Sequence, residues 1–111
     1  MRYRVIFAPE ASDDLENLLV YLIEKAGPDI ARRYVATIEQ FCHGLSRFPQ
    51  RGASRDDLRP GLRITGFKRR ASIAFTIEER TVYILRIFHA GREITFDVRD
   101  LDEAAMQNGG P

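Results

Sequence analysis

The sequence predicts an α+β sandwich of order β-α-α-β-β-β, in which a helical hairpin covers one face of a twisted, mainly antiparallel sheet. Three observations lead there. A short alternating run opens the chain. Two apolar stripes of helical spacing follow, separated only by Gly27 and Pro28. Three strand-length apolar runs then come in succession, split by polar links too short for anything but hairpins.

The opening run is "RYRVIF", Arg2 to Phe7, with Tyr3, Val5 and Phe7 alternating against Arg2, Arg4 and Ile6. A period of two with β-branched and aromatic residues is a strand signature. Pro9 suits the first turn of a helix, where its missing N–H is no loss, and Ser12 is a second possible cap. Glu10, Asp13, Asp14 and Glu16 put negative charge at the favourable end of the helix dipole. Ala11, Leu15, Leu18, Leu19, Leu22, Ile23 and Ala26 form one apolar stripe. Gly27 is a C-terminal cap and Pro28 stops continuation.

The second helix is expected to open near Asp29. Its stripe is Ile30, Ala31, Tyr34, Val35, Ile38, Phe41, Cys42 and Leu45, and it ends before "FPQRG", where Pro49 and Gly52 enforce a turn. A link this short makes the two helices antiparallel neighbours. The strand candidates are "LRITGF" (Leu62–Phe67), "SIAFTIE" (Ser72–Glu78) and "VYILRIF" (Val82–Phe88), expected as an antiparallel meander. Residues 1–98 read as a single domain, and 99–111 as a tail that is a short helix or frays.

On "VYILRIF", strict alternation puts Tyr83, Leu85 and Ile87 on one face, continuing to His89, and Val82, Ile84, Arg86 and Phe88 on the other. Both faces are largely apolar, so the strand is expected to be central. Arg86 must then point into an open sheet face or at a carboxylate, because a lone buried charge costs several kcal/mol.

No run is long and apolar enough for a membrane span, and the start "MRYRVIFAPE" lacks the pattern of a signal peptide. One cysteine, Cys42, precludes an internal disulfide. These features lead us to expect a cytoplasmic protein with no membrane partner. The net charge is only +1, yet residues 47–70 carry eight cations against Asp56 and Asp57. That asymmetry suits an anionic partner, or a solvated loop.

The two histidines, His43 and His89, lie far apart and no close set of ligands accompanies Cys42, so neither a metal nor a cofactor is expected. Nothing resembles a nucleophile elbow or a Gly-rich phosphate loop. What remains is a set of cations on and around the sheet: Arg63, Arg86, His89 and Arg92 as a candidate functional surface, with Lys68, Arg69 and Arg70 as a basic patch. Arginine's planar fork matches phosphate oxygens, but the same arginines serve equally to pair with carboxylates.

Taken in order, "PEASDDLENLLVYL", Ala31, Leu45 through "FPQRG", "GLR" at Gly61–Arg63 and "ILRIFHAGRE" resemble the RelE/ParE superfamily of type II toxin–antitoxin toxins, in its ParE-like branch. The resemblance spans about residues 3–94. It implies a small cytoplasmic toxin of the kind found in plasmid stabilisation, causing growth arrest through DNA gyrase and neutralised by a cognate antitoxin. It also implies that Arg63, Arg86, His89 and Arg92 occupy the family's characteristic basic positions. The chain departs from the pattern at Ala71 and Phe75, where tyrosines are common. The favoured expectation is a DNA gyrase inhibitor without hydrolytic chemistry. The alternatives are a RelE-type endonuclease acting on ribosome-bound mRNA and an inactive antitoxin-binding relative. Cleavage of RNA needs an acid, a base and cations together. Arg63 and Arg86 supply cations and His89 one proton transfer, with Tyr83 a weak second. Val20 and Tyr21, apolar residues left over once the stripes face the sheet, are candidates for the antitoxin groove.

Overall fold

The computed structural model describes residues 2–89. The elements are β1 (Arg4–Phe7), α1 (Pro9–Ala26), α2 (Pro28–Gly44), β2 (Ala53–Ser54), β3 (Arg63–Phe67), β4 (Ala71–Glu78) and β5 (Thr81–His89). The sheet order is β1-β5-β4-β3-β2, with β1 parallel to β5 and the other pairs antiparallel. The expected α+β architecture is present, enlarged by the two-residue β2 inside the basic loop. The tail 99–111, like Arg92, lies outside the described residues.

Helix α1 starts at Pro9 behind Ala8, which has extended dihedrals and no side-chain cap. Ser12 is therefore not a cap; it sits within the helix, and its N–H donates to the Ala8 carbonyl at 3.1 Å. Glu10 and Lys25 lie in the dipole-favoured first and last turns. Gly27 serves both helices. Its φ of +89° lies in the region where a Cβ is strained. Its N–H donates to Ile23 at 3.0 Å, closing α1, and its carbonyl accepts from Ala31 at 3.1 Å, opening α2. With Pro28 supplying the first helical φ, α2 begins one residue earlier than Asp29.

Both predicted stripes face the sheet. Leu15, Leu18 and Leu22 from α1, with Ala31, Tyr34, Val35, Ile38 and Cys42 from α2, bury against Ile73, Phe75, Val82, Ile84 and Ile87. Tyr3, Val5 and Phe7 pack against the same cluster, as their alternation predicts. Helices on one face leave the other face of the sheet open. Ile6 and Phe88 remain exposed there, while Ala74 and Thr76 are buried.

One expectation on β5 is corrected. Ile84 pairs with Phe75 but Arg86 pairs with Ala74, so Leu85 is an extra residue at a bulge. Side-chain parity reverses there. Val82 and Ile84 share the core face with Ile87, not with Arg86 and Phe88. A strict two-residue alternation cannot anticipate this, because a bulge depends on the partner strand.

Cys42 is fully buried on α2. Burial, aided by the Glu39 carboxylate, pushes its thiol from the usual 9.0 up to about 12. The folded value lies above the unfolded one, so stability from the neutral thiol is intact below pH 9.0. Above it only the unfolded chain ionises, and stability falls by about 1.4 kcal/mol per pH unit. Between about pH 8 and about pH 10.5, the chain is expected to lose about 2 kcal/mol more than Cys42→Ala does. Urea melts of the two proteins would check this; parallel losses would refute it.

Candidate functional site

Strand β1 pairs with β5 only as far as Phe7 opposite Ile84, and the Ala8 N–H then donates to the Ile84 carbonyl at 2.8 Å. Beyond that point β5 would present a bare edge. The start of α1 fills the gap. Asp14 Oδ2 accepts the Ile87 N–H at 2.8 Å, acting in place of the missing strand. The same carboxylate receives Arg86 through a two-pronged contact, Nε to Oδ2 at 2.8 Å and Nη2 to Oδ1 at 3.0 Å. The hydrogen bond and charge of Asp14 hold the Arg86 proton more tightly than usual. Arg86 also lies over the Phe88 ring, 5.2 Å from its centroid.

The arginine in this apolar strand thus has a carboxylate partner, yet its own side chain is 49% exposed against 13% for Asp14. The pair sits at the surface with its acid end turned inward. Sequence reasoning missed Asp14 as that partner. The available signal was its position: with Ala11, Leu15 and Leu18 it falls on the buried stripe, where a carboxylate requires a donor.

His89 ends β5 on the core side, where the reversed parity carries it. Its Nε2 lies 2.7 Å from the Tyr34 hydroxyl, and the two rings meet edge to face at 5.4 Å. The hydroxyl donates when the ring proton is on Nδ1, and accepts when it is on Nε2. Tyr34 is buried, so the contact ties α2 to the end of β5.

Arg63 pairs in register with Phe75, whereas Arg86 pairs with Ala74. The two arginines therefore occupy opposite faces of the sheet, with β4 between them. Arg63 donates to the carbonyls of Arg51 at 3.1 Å and Gly52 at 3.3 Å, which clips the basic loop to β3. The structure thus sets Arg63 and Arg86 apart and places His89 at the far end of the core face. Arg92 lies outside the described residues.

The basic segment is internally tied as well. Arg55 makes two 3.0 Å bonds to Asp57. Asp56 accepts from the Gly61 N–H at 2.8 Å and the Ser54 hydroxyl at 3.0 Å, contacts that hold its carboxyl below the usual range. Lys68 and Arg69, at φ of 53° and 61°, form the tight β3–β4 turn, and Arg70 follows them. On α1, Val20 is 55% exposed, while Tyr21 packs against the core edge with the Lys25 ammonium 5.7 Å from its ring centroid. Among the described residues no helix is long and apolar enough to cross a membrane.

Two helices packed on a five-stranded, mostly antiparallel sheet match the fold of the RelE/ParE toxins. Residues 5–94 match the family model described as "ParE toxin of type II toxin-antitoxin system, parDE", and the chain belongs to that family. It is 37% identical over 84 residues to Toxin ParE3 of Caulobacter vibrioides, covering 76% of this chain and 83% of that one. Among solved structures it is similar to a chain of the chromosomal ParDE toxin–antitoxin system from P. aeruginosa. There the TM-score is 0.70 at 25% identity, covering 79% of this chain and 96% of that one. A chain of the RelBE2 toxin–antitoxin complex from Mycobacterium tuberculosis is also similar, with a TM-score of 0.56 at 25% identity and coverage of 80% and 99%.

Proposed function

We propose that this protein is the growth-arresting partner of a two-protein system, acting on DNA gyrase in the cytoplasm without hydrolytic chemistry and neutralised by a cognate antitoxin. Membership of the ParE family supports the reading. The observation that carries it within the superfamily is the dispersal of Arg63, Arg86 and His89. Each is hydrogen-bonded into the fold, and the two arginines lie on opposite faces. Activating a 2′-hydroxyl and protonating a leaving oxygen requires such groups to converge.

Supercoiling and cleavage-complex assays with purified gyrase, run beside a ribosome-dependent mRNA cleavage assay, test the proposal. Loss of supercoiling with intact mRNA is expected. Site-specific mRNA cuts with unaffected gyrase would establish the RelE-type alternative. Binding of the antitoxin with neither activity would mark an inactive relative.

The antitoxin is proposed to lay an amphipathic segment along the helical hairpin, over Val20 and the exposed side of Tyr21. A partner that binds only the folded state stabilises it by about 4 kcal/mol at a thousandfold excess over Kd. In thermal melts, Val20→Asp is expected to remove most of that increment while leaving the lone toxin's midpoint unchanged. Full stabilisation of the variant would place the docking site elsewhere.

A further inference from the structure

At the end of the sheet where β1 starts and the β4–β5 turn closes, Arg2, Arg4, Arg80, Glu78, Glu79 and Tyr83 line a cavity of about 630 Å³. The backbone fixes this group. The Arg4 N–H donates to the Arg80 carbonyl at 2.8 Å, and parallel pairing sets Arg4 beside Thr81 and Ile6 beside Tyr83. Glu79 and Arg80, at φ of 47° and 63°, form a tight turn in a conformation that side-chain-bearing residues adopt at a cost.

The arginines here differ from the bonded arginines of the sheet and the basic loop, and they are gathered at one cavity. Arg55 and Arg86 hold carboxylates and Arg63 holds two carbonyls. Among the described residues, the guanidinium groups of Arg2, Arg4 and Arg80 make no side-chain hydrogen bond or salt bridge. Each brings five N–H donors in a planar fork to the rim of the cavity. Two carboxylates and an aromatic ring accompany them.

We propose that this cavity binds an unpaired nucleic-acid strand. The arginines hold successive phosphates, the Tyr83 ring supplies a face for a base, and Glu78 or Glu79 accepts from an exocyclic amino group. Three cations alone would suit any anion. The carboxylates and the ring match the remaining parts of a nucleotide, its amino donors and its π-face. The strand must be unpaired because base faces and edges are covered in a duplex. The site lies apart from Arg63, Arg86 and His89, and the inference goes beyond the gyrase reading without depending on it.

The test titrates the full chain into a fluorescein-labelled single strand of about 12 nucleotides, within the span of known strand-binding sites, and follows anisotropy. Three phosphate contacts predict a slope of log affinity against log salt of about −2. Arg2→Ala, Arg4→Ala and Arg80→Ala are each expected to weaken binding about five- to tenfold and to reduce that slope by about 0.7. Glu79→Gln is expected to keep or tighten binding, and Arg32→Ala, which alters an exposed cation on α2, to leave it unchanged. Thermal melts check that each variant is folded; Arg2 precedes every element, so its loss does not threaten the fold. No binding of the strand would overturn the proposal. So would equal loss in Arg32→Ala, equally tight binding of the matching duplex, or displacement by AMP at strand-like concentrations.

Discussion

Asp14→Ala is expected to destabilise the fold by about 3 kcal/mol, whereas Arg86→Ala leaves stability close to that of the parent. The asymmetry follows from what each truncation strands. Without Asp14, the Ile87 N–H at the edge of β5 loses its acceptor in a place where no strand replaces it. The Arg86 fork loses both of its bonds at the same time. Without Arg86, Asp14 still accepts from Ile87, and only a half-exposed ion pair is gone. Asp14→Asn should fall between, since its amide oxygen can still accept from Ile87. Urea midpoints of the three variants measure this. Equal losses for Asp14→Ala and Arg86→Ala would show that the pair, not the edge contact, carries the stability. Arg86→Ala, being nearly as stable as the parent, is also the variant in which growth arrest can be read without confusion from unfolding. Full toxicity of that folded variant would remove Arg86 from the functional surface.

Among the described glycines, Gly52→Ala should be the most damaging substitution. Its φ is +72°, a conformation that costs a Cβ-bearing residue about 1–2 kcal/mol. The added Cβ would also overlap the Ile64 carbonyl oxygen and stand 2.7 Å from the Ile64 carbon and 2.8 Å from Thr65 Cα. These are backbone atoms of β3 and cannot swing aside. The loop must lift away, breaking the short β2–β3 pairing and taking from Arg63 the carbonyls of Arg51 and Gly52. Overpacking of this kind adds about 1–3 kcal/mol, for a total of about 3 kcal/mol. Gly44→Ala is the control. Gly44 is the last residue of α2, and nothing lies within 4 Å of the added Cβ. That variant should be neutral or gain up to about 1 kcal/mol. Similar midpoints for the two variants would mean that the basic loop contributes nothing to global stability.

These effects show where the chain can and cannot be read one residue at a time. Gly27, Pro28 and the spacing of Leu15, Leu18 and Leu22 are local signals, and both helices lie where those signals put them. Proline's preset φ makes Ala8 and Gly27 the caps and leaves Ser12 without that role. The two-residue β2 has no comparable signal. It exists because Gly52 permits close approach and Arg63 reaches back across the loop. The candidate site was legible as a list of cations in sequence, but which of them carry structural contacts was not. Arg63 and Arg86 look alike on paper, and only strand pairing separates their faces.

The sequence by itself determined the class of the fold, the order of its elements apart from β2, the composition of its core and its resemblance to the ParE toxins. Periodicity and turn chemistry depend on neighbours a few residues away, and a chain displays those openly. Tertiary structure alone decided the bulge at Leu85, the match of Asp14 to Arg86 across 72 positions and that of Tyr34 to His89 across 55. It also gathered Arg2, Arg4 and Arg80 around one cavity. Such contacts are set by register and by which edge a short strand leaves bare, quantities that exist only once distant segments have paired.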